Sequence, residues 1–199
     1  AGVVMHDHRQ FLSAFFGETV AGTGPCIQGA GTDTKKRPDL GYPDSASGVA
    51  HNVDEALAKV DPVRVSQFAK LFWDSLGVCM FSVTGVKDSV DLTSKCLAQA
   101  VGWEDFGVED ALLAGERVVN LMRLIYARRG FTKSDELDVT PKHLEAPPVG
   151  PARGISPGEY LPDMVDEYYR QMGWNVDTGL PTAATLKRLD MEEFLEDVR

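Results

Sequence analysis

Cysteine is scarce in this chain: three residues in 199, Cys26, Cys79 and Cys96. An odd, irregularly spaced set argues against a disulfide framework. With no Cys-x-x-Cys pair, no complete metal site can be drawn from cysteine spacing alone. Cations are also short. Twenty Lys and Arg stand against thirty Asp and Glu, a formal net charge of −10. Phosphate contacts need clustered positive charge, and the two basic runs, KKR (35–37) and ARR (127–129), lie in no basic field. Nucleic acid is therefore not an expected partner. No apolar run reaches the roughly 18 residues that a membrane span needs. The opening AGVVMHDHRQ has neither the basic nor the apolar region of a secretory signal. An acidic chain of this kind is expected to be cytoplasmic, kept soluble by charge repulsion. It also lacks an initiator Met, and it reads as a fragment or processed product. No stretch alternates with the period of two that marks a half-buried strand, and no repeat is visible.

What the sequence does contain is helical periodicity broken by Gly and Pro. Asp7 is placed to cap a first helix, with Gln10 reaching back as in a capping box, and Phe11, Leu12, Phe15 and Phe16 recur at helical spacing. Gly22 and Gly24-Pro25 would end it. Residues 22–50 are rich in Gly and Pro with little periodicity, as functional or disordered loops usually are. Asn52 caps a short helix that Asp61-Pro62 stops. Pro62 then opens a helix over 62–76, where its missing N–H costs nothing, and Gly77 terminates it. Further helices are expected over 89–102, with Cys96 on the apolar side beside Leu92 and Ala100, and over 107–131. In the latter, Leu112, Leu113, Val119, Leu121, Met122, Leu124 and Ile125 form a surface wide enough for burial on more than one side. Its Arg123, Arg128 and Arg129 suit the negative end of the helix dipole. Residues 132–157 are proline-rich and read as extended. A helix ending at Gly173 and a last one over 181–198, capped by Thr182, complete the chain. The expected fold is mainly α: an irregular domain of five to seven helices joined by long Gly/Pro-rich connections.

FWDSLGVCMF (72–81) poses the functional question. An aspartate closes an apolar helix, and a cysteine follows a glycine two residues later. On pattern alone, Cys79 is a small buried hydrophobe and Asp74 is solvated or bound to local backbone. The alternative is a thiolate ligand held beside an acidic hydrogen-bonding group.

DSLGVCMF resembles the Asp-x-x-Gly-Leu-Cys signature of the tungsten-containing aldehyde ferredoxin oxidoreductase family, with Val78 at the usual Leu position. RVVNLMRLIYARRGFTKSDELDVTPKHLEAPPVGPARG (117–154) resembles the family's long helix ending in Arg-x-Gly-Phe and its proline-rich crossing segment. MVDEYYRQMGWNVDTGLPTAATLKRLDM (164–191) resembles its C-terminal tail. The match runs from about residue 60 to 195, most of the chain. Residues 1–50 match more loosely. Their VMHDHRQF and GTGPC resemble members nearer the benzoyl-coenzyme A reductase catalytic subunit.

The resemblance implies a single helical domain over 1–199, a fragment of a larger enzyme. Residues 1–50 form a loosely matching segment, and 51–199 carry the cofactor loop and C-terminal helices. It implies a tungsten (or molybdenum) ion held by two pterins and a [4Fe–4S] cluster, both present only in the full-length protein. Asp74 would hydrogen-bond a pterin. Cys79 would be the last of four cluster ligands, the other three coming from an upstream segment. Gly77 would let the backbone approach a flat cofactor, with Val78 beside it. Expected partners are upstream domains of the same enzyme and ferredoxin or an electron-transfer subunit, with a homo-oligomer as an option. The isolated chain is expected to be inactive. The resemblance names no catalytic acid or base here, because Ile27 and Gln28 stand where family members often carry a His near the metal. The rival readings are a benzoyl-coenzyme A reductase-type subunit and a cofactor-free helical interaction domain. His6 and His8 are read as part of a helix start, His51 and His143 as structural or exposed. GTGPCIQGAG (22–31) lacks the spacing and the Lys of a phosphate loop.

Overall fold

The computed structural model describes residues 7–21, 48–83, 86–139 and 141–198. Ten α-helices lie among them: α1 (Leu12–Val20), α2 (Val53–Leu57), α3 (Val60–Ser75), α4 (Met80–Val83), α5 (Ser89–Val101), α6 (Val108–Arg128), α7 (Lys133–Leu137), α8 (Pro141–Leu144), α9 (Leu161–Met172) and α10 (Ala183–Arg188). Three 3₁₀ turns, His8–Gln10, Pro157–Glu159 and Glu192–Val198, accompany them. Among the described residues there is no strand, only an isolated antiparallel bridge between Trp174 and Pro181. The mainly helical expectation holds. The helix count is higher than expected because short helices form at 80–83 and inside the proline-rich stretch. Thr132 caps α7 in a box with Asp135, whose carboxylate accepts from the Thr132 backbone N–H at 2.7 Å.

Three boundaries differ from expectation. α2 stops at Leu57 and α3 begins at Val60, so Asp61 and Pro62 lie in the first turn of α3 instead of separating the two helices. Asp7 does cap, but it caps the 3₁₀ turn, accepting from the Arg9 backbone N–H, and its partner is the Arg9 guanidinium rather than Gln10. The last helix is not continuous. Thr182 caps it, yet it stops at Arg188, because Asp190 takes a left-handed conformation (φ 52°) before the final 3₁₀ turn. The predicted stop of α1 at Gly22 to Pro25 lies outside the described residues.

The most extensive contact is between α3 and α6. It depends on Gly115: a Cβ there would lie 1.9 Å from the Phe68 carbonyl oxygen, so only glycine lets the two backbones approach this closely. α6 is buried on several sides, but not by the whole apolar set expected: Val119 and Leu124 are buried, whereas Leu121 and Ile125 are exposed. Val119 joins the main core with Phe16, Phe68, Met164 and Tyr168. Ala111 joins a second cluster with Phe72, Trp73, Val83 and Val90. Leu124 joins a third with Leu186, Leu189 and Met191. Each fully buried large side chain contributes about 1.5–3 kcal/mol of transfer free energy, which fixes α6 as the axis of the fold.

Cys96 is a correction. It is exposed rather than core, and Leu92 and Ala100 beside it are exposed too. The buried face of α5 is instead Val90, Ser94 and Ala98. Ser94 is tolerated there because its hydroxyl donates to the Val90 carbonyl at 2.7 Å, so a serine serves as core filler while the more apolar residues face out.

Candidate functional site

The 72–81 stretch begins inside the core and ends outside it. From Ser66 to Trp73 every residue of α3 is buried. The helix then ends in a Schellman motif. Gly77, at φ +71°, donates its N–H to the Asp74 carbonyl at 3.0 Å, and Val78 donates to the Trp73 carbonyl at 2.9 Å. Val78 packs partly buried against the cluster that holds Phe72 and Trp73, the apolar contact that usually accompanies this cap. Met80 and Val83 turn back into the core through α4. Asp74, Gly77, Cys79 and Phe81 remain exposed, and Phe81 keeps 68% of its surface in solvent. The break expected at Gly77 is therefore present, and the helix does not run through Cys79.

Cys79 is a free thiol. Its carbonyl accepts from Ser82 through both the backbone N–H at 2.9 Å and the hydroxyl at 2.6 Å, which ties the start of α4 to the loop. Asp74 accepts a hydrogen bond from the Lys70 ammonium, one turn back on α3. Lys70 was not singled out from the sequence. The signal available was the Lys-x-x-x-Asp spacing, which is common on solvated helices and so says little by itself.

A second polar cluster was also missed. Arg123 was expected near the dipole end of its helix; it is buried at the centre of a network instead. Its Nε donates to the Gly179 carbonyl at 2.7 Å, Nη1 to Glu136 at 2.7 Å and Nη2 to the Tyr169 hydroxyl at 2.9 Å. The guanidinium also stands over the rings of Tyr169 and Trp174. Tyr169 donates to the other Glu136 oxygen. Burial pushes the Glu136 carboxyl up, opposed by Arg123 and by the Tyr169 hydroxyl, and pushes the Tyr169 hydroxyl up as well. A cleft reaches this cluster, lined by Gln67, Leu71, Met122, Arg123, Glu136 and Trp174 among others. Four of its polar side chains already have partners: besides Arg123 and Glu136, Gln67 accepts from Tyr168 at 2.7 Å, and Trp174 donates to Asn120 at 2.8 Å. The cluster joins α6, α7, α9 and the turn at Gly179, and works as structure.

His6 lies outside the described residues, and His8 and His51 follow the bland reading. His8 Nδ1 lies 3.1 Å from a Glu18 carboxylate oxygen, and the His51 backbone N–H donates to Glu55 at 2.9 Å in the cap of α2. Cys26, Ile27 and Gln28 lie outside the described residues. Among the described residues no three His, Cys, Asp or Glu side chains converge as a metal site, and no helix is long and apolar enough to cross a membrane.

Residues 2–191 match the family described as "Aldehyde ferredoxin oxidoreductase, domains 2 & 3". The chain belongs to the aldehyde ferredoxin oxidoreductase family. Similar proteins include the tungsten-containing aldehyde ferredoxin oxidoreductases of Pyrococcus abyssi, 35% identical over 158 residues, and of Pyrococcus horikoshii, 33% over 157. That of Thermococcus kodakarensis is 31% identical over 157 residues. Each alignment covers 78% of this chain and 24% of the relative. The chain thus spans about a quarter of the length of the curated relatives it matches.

The family's cofactors can be tested against the residues present. An exposed, unbridged thiol just past a helix end can serve as an iron ligand. An exposed carboxylate with acceptor sites beyond its one lysine bond can take N–H donors from a flat heterocycle. These two side chains are compatible with one cluster ligand and one pterin contact.

Proposed function

We propose that this chain is the C-terminal helical portion of a tungsten-pterin oxidoreductase that converts aldehydes to carboxylic acids. The overall change is RCHO + H₂O → RCOOH + 2 H⁺ + 2 e⁻, the electrons leaving singly toward ferredoxin or an electron-transfer subunit. The observation that carries this reading is the Schellman break at Gly77, which leaves Asp74 and Cys79 exposed on either side of a glycine at the end of a buried helix. The similarity to tungsten-containing aldehyde ferredoxin oxidoreductases supports it, and favours aldehyde oxidation over a benzoyl-coenzyme A reductase-type reaction.

Bound there, the metal–pterin group would take the electron pair and the [4Fe–4S] cluster would relay it; the protein supplies position and tuning. Cys79 would give one thiolate of the four a cubane needs. Asp74 would accept pterin N–H groups. Gly77 presents no Cβ on the loop between them, with open space where one would be. Val78 anchors the loop to the core so that the two side chains keep a fixed relation. The remaining cluster ligands, the acid–base groups and the aldehyde pocket would come from the rest of the enzyme.

The test uses the full-length gene product. Wild type should contain tungsten or molybdenum, about four iron per chain and aldehyde-dependent dye reduction. Cys79→Ser should lower iron and electron transfer, whereas Asp74→Ala should release pterin and leave iron largely in place. If both variants keep wild-type metal content and activity, the site reading fails. A full-length protein with no iron, tungsten or molybdenum would instead favour the cofactor-free interaction domain.

A further inference from the structure

Lys70 and Asp74 break three local rules at once. Lysine is rarely fully buried, yet Lys70 is 4% exposed within the buried half of α3. An acidic residue in the last turn of a helix opposes the negative end of the dipole, yet Asp74 is the second-to-last residue of α3. Between residues i and i+4, acid before base is the better order, and here the order is reversed. Helix stability selects none of these. Sites where sequence rules fail together are where function is expected.

The geometry gives the arrangement a use. The lysine stem runs through the core, and its ammonium meets the carboxylate where the helix surfaces. A buried cation needs a counter-charge, so the pair is expensive to separate. Asp74 is thereby held from the protein side through Oδ2, while a carboxylate has about four lone-pair sites in all. The remaining sites stay available to a ligand outside.

We propose that Lys70 is a positioning residue that fixes the orientation and balances the charge of Asp74, so that its carboxylate meets the N–H edge of the pterin pre-organised. This rests on the reading of Asp74 given under Proposed function. Lys70 touches Asp74 and acts through it.

The experiment compares Lys70→Met, Lys70→Arg, Asp74→Ala and the double variant Lys70→Met/Asp74→Ala in the full-length holoenzyme. Pterin and iron per chain are measured after dilution, together with the thermal midpoint. Losing a group that orients a ligand-holding side chain from behind typically changes affinity by about 10–100-fold. Lys70→Met should therefore release pterin roughly tenfold faster than wild type with iron unchanged. Lys70→Arg should retain pterin, because it keeps the cation. The double variant should lose pterin no faster than Asp74→Ala.

Wild-type retention in Lys70→Met, with Asp74→Ala depleted, overturns the role of Lys70 and leaves the Asp74 reading intact. Retention in Asp74→Ala overturns the Asp74 reading itself. A double variant that is clearly worse than Asp74→Ala, or a Lys70→Arg that fails in step with its thermal midpoint, means that Lys70 acts as core structure and overturns the proposal. If Lys70→Met does not accumulate, Lys70→Gln carries the same comparison, with pterin loss at an unchanged midpoint expected.

Discussion

The surroundings of Arg123 and of Cys79 handle polar side chains in opposite ways. Around Arg123, the donors and acceptors that approach one another are matched: three guanidinium nitrogens to three oxygens, both Glu136 oxygens occupied, Trp174 on Asn120. Around Cys79, the backbone is capped with equal care, while the side chains of Asp74, Cys79 and Phe81 face out. Capping a loop precisely and leaving its side chains open is what a binding loop requires. Saturating a network is what a joint between helices requires. The difference separates residues that hold the fold from residues that have work outside it, although both clusters look polar and specific.

The largest effect is expected at Arg123. Arg123→Met removes one partner of a buried pair and strands Glu136 among aromatic rings. Losses of about 3–5 kcal/mol are typical for that change. Urea denaturation of this chain should show a loss in that range. A loss under about 1 kcal/mol would mean that the network is incidental to the fold.

Gly115 gives the next largest effect. Alanine gains about 1 kcal/mol of helix propensity over glycine. Its Cβ, however, would sit 1.9 Å from the backbone oxygen of Phe68, which no rotamer can relieve. The helices must separate, and overpacking typically costs about 1–3 kcal/mol. Gly115→Ala should therefore be net destabilising, read as a lower urea midpoint. A stabilised variant would show that the α3–α6 crossing is looser than described.

Much of this was legible in the sequence, for identifiable reasons. The long helices announced themselves by apolar spacing, and Gly77, Gly102, Gly130 and Gly173 fall where their helices end, because a left-handed cap favours one residue type. The break before Cys79 followed from the same rule. What stayed hidden depended on tertiary partners. Arg123 looks like a dipole-favouring cation until Glu136, Tyr169 and Gly179 are brought to it from 13, 46 and 56 residues away. Cys96 looked like core because Leu92 and Ala100 share its stripe; the face that packs was chosen by Phe72 and Trp73 across the gap. Asp190 looked like mid-helix because nothing in its identity demands a positive φ.

A smaller effect is expected at the N-terminal turn. Asp7 is held down to about 2, first by the Arg9 side-chain hydrogen bond, against its usual 3.8. The same guanidinium donates to the carbonyls of Lys142 at 3.0 Å and Glu145 at 3.3 Å, so the pair pins the turn to the segment around α8. A depressed folded pKa stabilises above the unfolded value, and that stabilisation fades as pH falls through about 2. Asp7 is half exposed, which discounts the pair to about 0.2–1 kcal/mol. Wild type should exceed Asp7→Asn in urea midpoint at pH 5, and the gap should close between pH 4 and 2. A gap independent of pH would place the stabilisation elsewhere.

The smallest effect is expected at the exposed loop around Cys79. Cys79→Ser and Phe81→Ser, made in this chain alone, should leave stability within about 0.5 kcal/mol of wild type, the usual range for surface positions. The argument is local. The Cys79 carbonyl, which organises the turn through Ser82, is a backbone atom and survives the substitution. The thiol is exposed and unbridged. Phe81 leaves 68% of its surface in solvent, so little transfer free energy is at stake. The same Cys79→Ser change in the full-length protein should deplete iron. A residue with no measurable role in the stability of its own domain and a large one in cofactor content is a ligand rather than a strut. Should Cys79→Ser instead destabilise this chain by 2 kcal/mol or more, the thiol is part of the local packing, and the contrast with Arg123 disappears.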